Sequence, residues 1–257
     1  MDFGLKGRVA LITGATRGLG LAIARSLATE GSRVAVIART RADVDQIAAQ
    51  LSGAGIAADL MTPDGRQHAF ETTVELLGPV DVLINSFGAR AGTSWQDTGV
   101  PELQRAMQGN AGVAAELTSM ALPQMLARGW GRIVFVASVY GLEAGGAPAY
   151  NAAKAAEIAY AAELGASLAG TGVTANAVAP GPMLYEGGSW DRRLKEDPKA
   201  IAEFVRQELP AGRFGTPDEV GAVVCFLCSN LANGVNGACL PVDGAQSRSH
   251  LWSAKPG

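Results

Sequence analysis

Two side chains that could carry out acid–base chemistry, Tyr150 and Lys154, lie four residues apart in an alanine-rich stretch. The stretch is predicted to be helical, and this spacing places both side chains on one face, one turn apart. A phenol normally keeps its proton up to about pH 10, so alone it is a poor acid near neutrality. A neighbouring ammonium favours the phenolate and brings proton transfer toward the working range. The pair alone is equally compatible with an ordinary exposed helix.

A glycine-rich segment near the N-terminus has the composition of an anion-binding turn. It follows a short apolar run, 8–13, that predicts a buried strand, and it precedes apolar residues at helical spacing. Glycines let the backbone approach a pyrophosphate, which unpaired N–H groups and the helix dipole then hold. Three residues separate Gly14 from Gly18, and one residue separates Gly18 from Gly20, which departs from the usual dinucleotide fingerprint. A tight turn without a binding role stays an alternative. The candidate binding residues in this segment are Gly14, Thr16, Arg17, Gly18, Leu19 and Gly20.

The end of the second predicted strand, 33–38, bears on the choice of dinucleotide. A carboxylate at this point accepts hydrogen bonds from the 2′-hydroxyl of NAD, whereas an arginine accommodates the 2′-phosphate of NADP. The chain has Arg39 and Thr40 here and no acid, and Arg17 in the glycine loop is a second positive group. The sequence therefore favours NADP (NADPH) as the cofactor, with a solvated arginine pair as the alternative.

Further apolar runs alternate with helical patterns along the whole chain. Predicted strands lie at 56–58, 81–85, 131–138 and 173–178, and predicted helices at 64–77, 101–128 and 150–169. With no linker composition between them, these elements predict a single α/β domain over residues 1–257. The six apolar runs account for most of the expected core, a Rossmann-type doubly wound parallel sheet of about seven strands with helices on both faces. Ligands of such sheets bind at the C-terminal strand ends, where the chain places Gly14, Asp59, Asn85, Ser138 and Pro180.

Charge and hydropathy exclude several classes of protein. The formal net charge of −3 over 257 residues gives no basic surface for nucleic acid, and no Lys/Arg run indicates a membrane surface. No apolar run approaches the roughly 18 residues that span a bilayer, and the first residues lack a signal-peptide pattern. We therefore expect a cytoplasmic protein with no nucleic-acid and no membrane partner.

The cysteines and histidines predict neither a disulfide scaffold nor a metal site. Cys225 and Cys228 have a spacing that can mean redox or metal chemistry, but apolar residues flank them. No second Cys/His pair follows at zinc spacing, so buried structural cysteines inside a helix are the interpretation we favour. His68 and His250 each stand without a partner that would make them a ligand or a base.

Taken together, these motifs resemble those of the classical short-chain dehydrogenase/reductase family over nearly the whole chain. Asn110, Ser138, Tyr150 and Lys154 fall on the positions of its catalytic tetrad. The glycine loop resembles its cofactor loop, Asp59 the acid that contacts the adenine, and Val242-Asp243-Gly244 its C-terminal motif. By the same resemblance, cofactor contacts are expected from Leu60, Asn85, Gly88, Tyr150, Lys154, Pro180, Gly181 and Met183.

Four features depart from the family pattern. Ser86 and Phe87 replace the usual Asn and Ala after Asn85, and the interval from Ser138 to Tyr150 is one residue short. Tyr185 stands where a threonine often contacts the cofactor. These departures put the placement of the nicotinamide in question.

The resemblance implies hydride transfer between NADPH and a carbonyl carbon, which reduces a ketone to a secondary alcohol. It implies that Tyr150 is the general acid, that Ser138 and Tyr150 bind the carbonyl oxygen, and that Lys154 holds the nicotinamide ribose. Asn110 would anchor a water in a proton relay. An NAD(P)-dependent alcohol dehydrogenase acting oxidatively and a catalytically silent NADP-binding regulator are the alternatives.

The substrate and the assembly are expected from the resemblance alone. Residues 183–209 occupy the family's variable substrate lid, whose aromatic residues suit a bulky or hydrophobic ketone, such as a carrier-protein-bound 3-oxoacyl or a polyketide intermediate. A homotetramer is expected, in which the alanines of the helix at 150–169 permit close packing. The expected substrate contacts are Ser138, Tyr140, Tyr150, Leu184, Tyr185 and Trp190.

Overall fold

Seven parallel strands form one sheet in the order β3-β2-β1-β4-β5-β6-β7, which confirms the predicted doubly wound fold. The computed structural model describes residues 2–249, so His250 lies outside the described residues. The chain moves outward from β1 to β3 and then crosses back to β4, which pairs with the other edge of β1. That reversal between β1 and β4 is the position at which such sheets bind ligands. The strands are β1 Val9–Thr13, β2 Arg33–Ala38, β3 Ala54–Ala57, β4 Val82–Asn85, β5 Gly131–Val136, β6 Val173–Pro180 and β7 Cys239–Val242.

Two hydrophobic cores hold the helices against the two faces of the sheet. Side chains alternate between the faces along β1, so that Ile12 belongs to one core and Leu11 to the other. The first core packs α1 and α9 on the sheet, and the second packs α3, α5 and α6 on the opposite face. The helices are α1 Gly18–Thr29, α2 Arg41–Leu51, α3 Pro63–Leu77, α4 Val100–Met107, α5 Val113–Arg128, α6 Pro148–Ser167, α7 Ser189–Glu196, α8 Pro198–Glu208 and α9 Pro217–Cys228.

The single helix predicted over 101–128 is divided by a five-residue π-helical turn, Gln108–Gly112. Asn110 lies in this turn, and its amide nitrogen donates to the carbonyl oxygens of Ala106 at 2.7 Å and Ala89 at 2.8 Å. At Gly109 a Cβ atom would lie 2.4 Å from the Cβ of Ala89, so the turn closely approaches the loop after β4. Hydrophobic periodicity does not reveal an insertion of this kind, because the apolar face continues on either side of it.

The pair Cys225 and Cys228 is buried inside a helix, as the sequence predicts. Cys225 and Cys228 are buried in α9, and the three cysteines of the chain are free thiols. Burial raises the pKa of Cys225 to about 12 and that of Cys239 to about 11, so neither forms a thiolate near neutrality. Within residues 2–249, no cluster of His, Cys, Asp and Glu has the arrangement of a metal site. In the same range, no helix combines the length and the apolar character needed to cross a bilayer.

Candidate active site

The glycine loop between β1 and α1 forms the floor of a cleft of about 530 Å³, called the inner cleft below. Gly14 and Gly18 have φ values of +66° and +55°, which favour glycine. A Cβ atom on Gly20 would lie 2.4 Å from the carbonyl oxygen of Gly14, so no larger residue fits without moving the backbone. Within residues 2–249, no side chain caps the first turn of α1, so the N–H groups there are left for another acceptor.

The inner cleft is positively charged, which fits a dinucleotide with its phosphates. Among the described residues that line it, Asp43 is the one carboxylate, against the cations Arg17, Arg39, Arg90 and Lys154. Thr13 joins the β1 and β4 ends of the cleft, because its hydroxyl oxygen accepts from the N–H groups of Ser86 and Phe87, each at 2.9 Å. The expected cofactor residues that line the inner cleft are Gly14, Thr16, Arg17, Leu19, Gly20, Arg39, Thr40, Leu60, Gly88, Tyr150 and Lys154.

Other expected cofactor residues lie beside the inner cleft. The Asp59 carboxylate is exposed and accepts from the N–H of Met61 at 3.0 Å. Asn85 is buried at the end of β4, and neither of its side-chain amide atoms has a hydrogen-bond partner in the described part of the chain. A Cβ atom on Gly18 would meet the ring of Tyr185 at 2.8 Å, so that tyrosine lies over the glycine loop.

Tyr150 and Lys154 lie one turn apart on α6, which begins at Pro148. The Lys154 ammonium lies 5.8 Å from the centre of the Tyr150 ring, and Arg90 stacks over the same ring at 4.9 Å. Lys154 donates to the carbonyl oxygen of Val136 at 2.9 Å and to Oε2 of Glu157 at 2.8 Å. Burial lowers the pKa of Lys154, but Glu157 and Tyr150 raise it, and the net direction is upward.

Asn110 and Lys154 approach the same space from different elements. A Cβ atom on Gly88 would lie 2.8 Å from Oδ1 of Asn110 and 3.6 Å from Nζ of Lys154. The buried Oδ1 of Asn110 has no hydrogen-bond partner among residues 2–249, so it is available as an acceptor. The glycine at 88 therefore keeps open the space into which the amide oxygen and the ammonium converge.

A central cavity of about 130 Å³ adjoins the inner cleft. Ser138 lines it from the end of β5, and its hydroxyl oxygen accepts from the N–H of Tyr140 at 3.2 Å. Tyr150 lines it from the side of α6. The other expected site residues along this cavity are Leu19, Tyr140, Pro180, Gly181, Met183, Tyr185 and Trp190.

An outer cleft of about 630 Å³ continues from Tyr150 toward α7 and α8. Tyr140, Trp190 and Phe204 give it aromatic walls, and the rings of Trp190 and Phe204 stack with centres 4.6 Å apart. Leu184, an expected substrate contact, lies outside the three cavities, and its N–H donates to the carbonyl oxygen of Gly215. Tyr150 lines the inner cleft, the central cavity and the outer cleft.

Comparison with known proteins decides the family. The family profile described as Enoyl-(Acyl carrier protein) reductase matches residues 14–245. The 3-oxoacyl-[acyl-carrier-protein] reductase of Aquifex aeolicus is 33% identical over 251 residues, which cover 95% of this chain and 99% of that protein. The chain belongs to the short-chain dehydrogenase/reductase family. It is therefore an oxidoreductase.

Proteins with other activities are similar to a comparable extent. A D-beta-hydroxybutyrate dehydrogenase of Cupriavidus necator is 33% identical over 252 residues, covering 93% of this chain and 98% of that protein. The structure of L-sorbose reductase from Gluconobacter frateurii, complexed with NADPH and L-sorbose, superposes with a TM-score of 0.90 at 28% identity. It covers 96% of this chain and 99% of that one. Similarity therefore identifies the family without selecting one substrate.

Three charged residues at this short-chain dehydrogenase/reductase site were missed by sequence reasoning. Arg90 lies in the loop after β4, and Arg193 lies on α7. Both arginines line the outer cleft. Within residues 2–249, neither guanidinium forms a salt bridge or a hydrogen bond; that of Arg193 lies over the ring of Trp190 at 4.9 Å. Glu157 had a usable signal, because an acid three residues after a lysine lies on the same helix face. Only the fold shows that this face is buried.

Proposed function

We propose that the protein reduces a ketone to a secondary alcohol with NADPH, and that Tyr150 is the general acid. The observation that carries the proposal is the position of Tyr150, which is common to the inner cleft, the central cavity and the outer cleft. A side chain placed there can reach a carbonyl oxygen that enters from the outer cleft. Lys154 lies one turn away on α6, where its charge can act on the phenol.

The roles of the protein groups follow from the charge that develops on the carbonyl oxygen. When bound, NADPH supplies the hydride. Ser138 and Tyr150 donate hydrogen bonds to the oxygen as it becomes negative, and Tyr150 transfers its proton to it. Lys154 and the free Oδ1 of Asn110 face a common space, in which a water can return a proton to the phenol.

NADP as the cofactor is supported by the charge of the inner cleft. Arg17 and Arg39 both line it and can bind the 2′-phosphate, while the glycine loop and the uncapped N-terminus of α1 can hold the pyrophosphate. The NADPH complex of the L-sorbose reductase, which has the same fold, adds support.

A bulky ketone that carries negative charge is the substrate class the outer cleft supports. Its aromatic walls suit an acyl chain, and Arg90 and Arg193 suit an anionic group on the same molecule. A 3-oxoacyl group on an acidic carrier protein satisfies both conditions. The alternative, oxidation of a secondary alcohol, is supported by the similarity to the D-beta-hydroxybutyrate dehydrogenase.

A direct assay separates these possibilities. NADPH consumption is followed with a neutral 3-oxoacyl thioester, the same acyl group on a carrier protein, and acetoacetate, and the alcohol product is identified. We expect reduction, fastest with the anionic ketones. Turnover only from alcohol to ketone would favour the oxidative alternative. Tight NADPH binding without turnover of any ketone or alcohol would favour the silent regulator. Homotetramer formation and the cytoplasmic location stay predictions.

A further inference from the structure

One arginine lies beside the proposed acid, at the point where the three cavities meet. Arg90 lines the inner cleft, the central cavity and the outer cleft, as Tyr150 does. We propose that Arg90 binds a carboxylate a few bonds from the reacting carbonyl, so that the preferred substrate is an oxo acid that is not linked to a carrier. The inference rests on the proposed function, because it takes Tyr150 to mark the position of the carbonyl oxygen.

The space around Arg90 is positively charged and lacks a compensating acid. Among the described residues that line the central cavity and the outer cleft there is no Asp or Glu, and the cations are Arg90 and Arg193. The guanidinium of Arg90 contacts the face of the Tyr150 ring at 4.9 Å, and this contact leaves its N–H donors available. An anion that enters this space is attracted by an arginine for which no neighbouring carboxylate competes.

Tyr140 lies within the field of both arginines. Burial raises the pKa of Tyr140, and the positive charges of Arg193 and Arg90 oppose that rise. Glu143 and Glu208 act on the same phenol in the other direction, but both lie outside the lining of the three cavities. The carboxylate of Glu143 accepts from a hydroxyl group and a backbone N–H of the chain after β7, at 3.2 and 2.9 Å. The two acids therefore leave the cavities themselves positively charged.

The backbone is held on both sides of Arg90. Before it, the carbonyl oxygen of Ala89 accepts from the side-chain amide of Asn110 at 2.8 Å. After it, the carboxylate of Asp97 accepts from the N–H of Thr93 at 2.9 Å. Because the loop is fixed at both ends and the guanidinium is stacked on the phenol ring, the arginine is preorganised for binding.

A carboxylate is the anion that fits this position best. Its two oxygens match the planar fork of guanidinium donors, and the central cavity of about 130 Å³ leaves little space for a larger anion beside the carbonyl. With the carboxylate on Arg90, the rest of an oxo acid can extend along the aromatic wall of Trp190 and Phe204. A thioester of the same acyl group has no charge at this point and gains nothing from the arginine.

Arg193 occupies a more distant position than Arg90. Its guanidinium lies over the ring of Trp190 at 4.9 Å, and of the three cavities it lines the outer cleft. It can attract an anion toward the cleft, but it does not lie beside the proposed acid. The two arginines therefore differ in what their loss should do to a short oxo acid.

The test measures binding of acetoacetate to the protein saturated with NADP⁺, a mixture in which no hydride can be transferred. Ligand-observed NMR compares Arg90→Gln with Arg105→Gln, which removes the same charge from an exposed position on α4 that lines none of the three cavities. We expect Arg90→Gln to weaken acetoacetate binding at least about tenfold, because a charged hydrogen-bonded pair is lost. Arg105→Gln should bind acetoacetate as the wild type does, and both variants should keep the affinity for NADP⁺ within about twofold.

Turnover gives a second measurement of the same contact. The ratio of kcat/KM for acetoacetate to that for its neutral methyl ester should fall at least about tenfold in Arg90→Gln. Arg90→Lys keeps the charge and should restore part of the ratio. Arg193→Gln should change the ratio less than Arg90→Gln does, because Arg193 lies further from the acid.

The results distinguish a failure of this inference from a failure of the proposed function. Unchanged acetoacetate binding in Arg90→Gln would overturn the inference, as would an equal loss in Arg105→Gln or in Arg193→Gln. A matching loss of NADP⁺ affinity in Arg90→Gln would also overturn it, because the arginine would then serve the cofactor. A wild type that reduces the ester as well as the acid would retain the proposed function and reject the carboxylate contact. A wild type that binds acetoacetate through Arg90 but reduces no ketone would reject the proposed function and retain the contact.

Discussion

Tyr150 is the residue whose replacement tests the proposed chemistry most directly. Tyr150→Phe removes the hydroxyl and keeps the ring on which Arg90 stacks. We expect kcat for ketone reduction to fall roughly 10²–10⁴-fold, because a positioned general acid contributes on that order. NADPH affinity, measured by fluorescence titration, should stay within about twofold, since the phosphate-binding groups are untouched.

Tyr160→Phe is the matched control for that variant. Tyr160 is on the same helix, 38% exposed, and packs edge-on against Phe135 at 5.7 Å, away from the three cavities. Its loss should leave turnover unchanged. Near-normal turnover by Tyr150→Phe would remove the phenol from the role of the acid.

Arg39 tests the choice between NADPH and NADH. Arg39→Asp places at the end of β2 the carboxylate that NAD-binding sheets use for the ribose 2′-hydroxyl. We expect the ratio of kcat/KM for NADPH to that for NADH to fall at least about tenfold, which corresponds to about 1.4 kcal/mol. The two values are measured with one ketone at constant salt, because phosphate binding is screened by ions.

Arg41→Asp makes the same charge change two residues further along the chain. Arg41 lies 3.6 Å from Asp45, donates to the carbonyl oxygen of Gly55 and does not line the inner cleft. Arg41→Asp should leave the preference for NADPH over NADH close to that of the wild type. An equal change in both variants would mean that long-range charge, and not contact with the 2′-phosphate, sets the preference.

Sequence and structure agree best for residues whose role depends on local spacing. Tyr150 and Lys154 share a helix face because four residues make about one turn, and the sequence alone predicts this. Arg90 and Glu157 could not be placed in the same way. The position of Arg90 above Tyr150 depends on how the loop after β4 folds back, and the burial of Glu157 depends on α6 packing against the sheet.

At the scale of the elements, the sequence predicts the glycine loop but not the π-helical turn that interrupts the helix at 101–128. The loop is recognisable because glycines between a strand and a helix have few other uses. The sequence predicts uninterrupted helix through Gln108–Gly112, because the apolar pattern continues across the π-helical turn. Asn110 was assigned by family resemblance, and its unpaired Oδ1 became visible only in the folded chain.

Gly20→Ala tests whether the glycine loop is as closely packed as its backbone indicates. The new methyl group would lie 2.4 Å from the carbonyl oxygen of Gly14, which is a backbone atom and cannot rotate away. We expect the loop to shift, with NADPH affinity reduced at least about tenfold and a lower Tm, since close approach of this backbone to the phosphates is lost. Isothermal titration and thermal unfolding measure the two effects.

Gly234→Ala is the control for that substitution, because no atom of the described residues lies within 4 Å of a Cβ atom at this position. It should bind NADPH as the wild type does and unfold at nearly the same temperature. Wild-type affinity in Gly20→Ala would mean that the loop adjusts easily and that its glycines are not required for cofactor binding.

At the scale of the whole molecule, the fold of one chain does not explain why the outer surface of α6 is apolar. Alanines at 152, 155, 159, 162 and 166 are exposed at helical spacing, while the opposite face of the helix is buried on the sheet. Two larger apolar side chains are also exposed: Tyr160 on α6 is 38% exposed, and Leu126 on α5 is 41% exposed. Small residues of this kind permit two helices to pack closely, as the expected homotetramer requires.

Ala159→Arg tests that assembly. We expect light scattering of the wild type to give four times the 26.3 kDa chain mass, and the variant to give a smaller assembly. The reason is that a charged side chain buried between two close helices has no partner there. Ala49→Arg, on the exposed surface of α2 near the opposite edge of the sheet, should leave the mass unchanged. A monomeric wild type would reject the tetramer, and a tetrameric Ala159→Arg would place its interfaces elsewhere than α6.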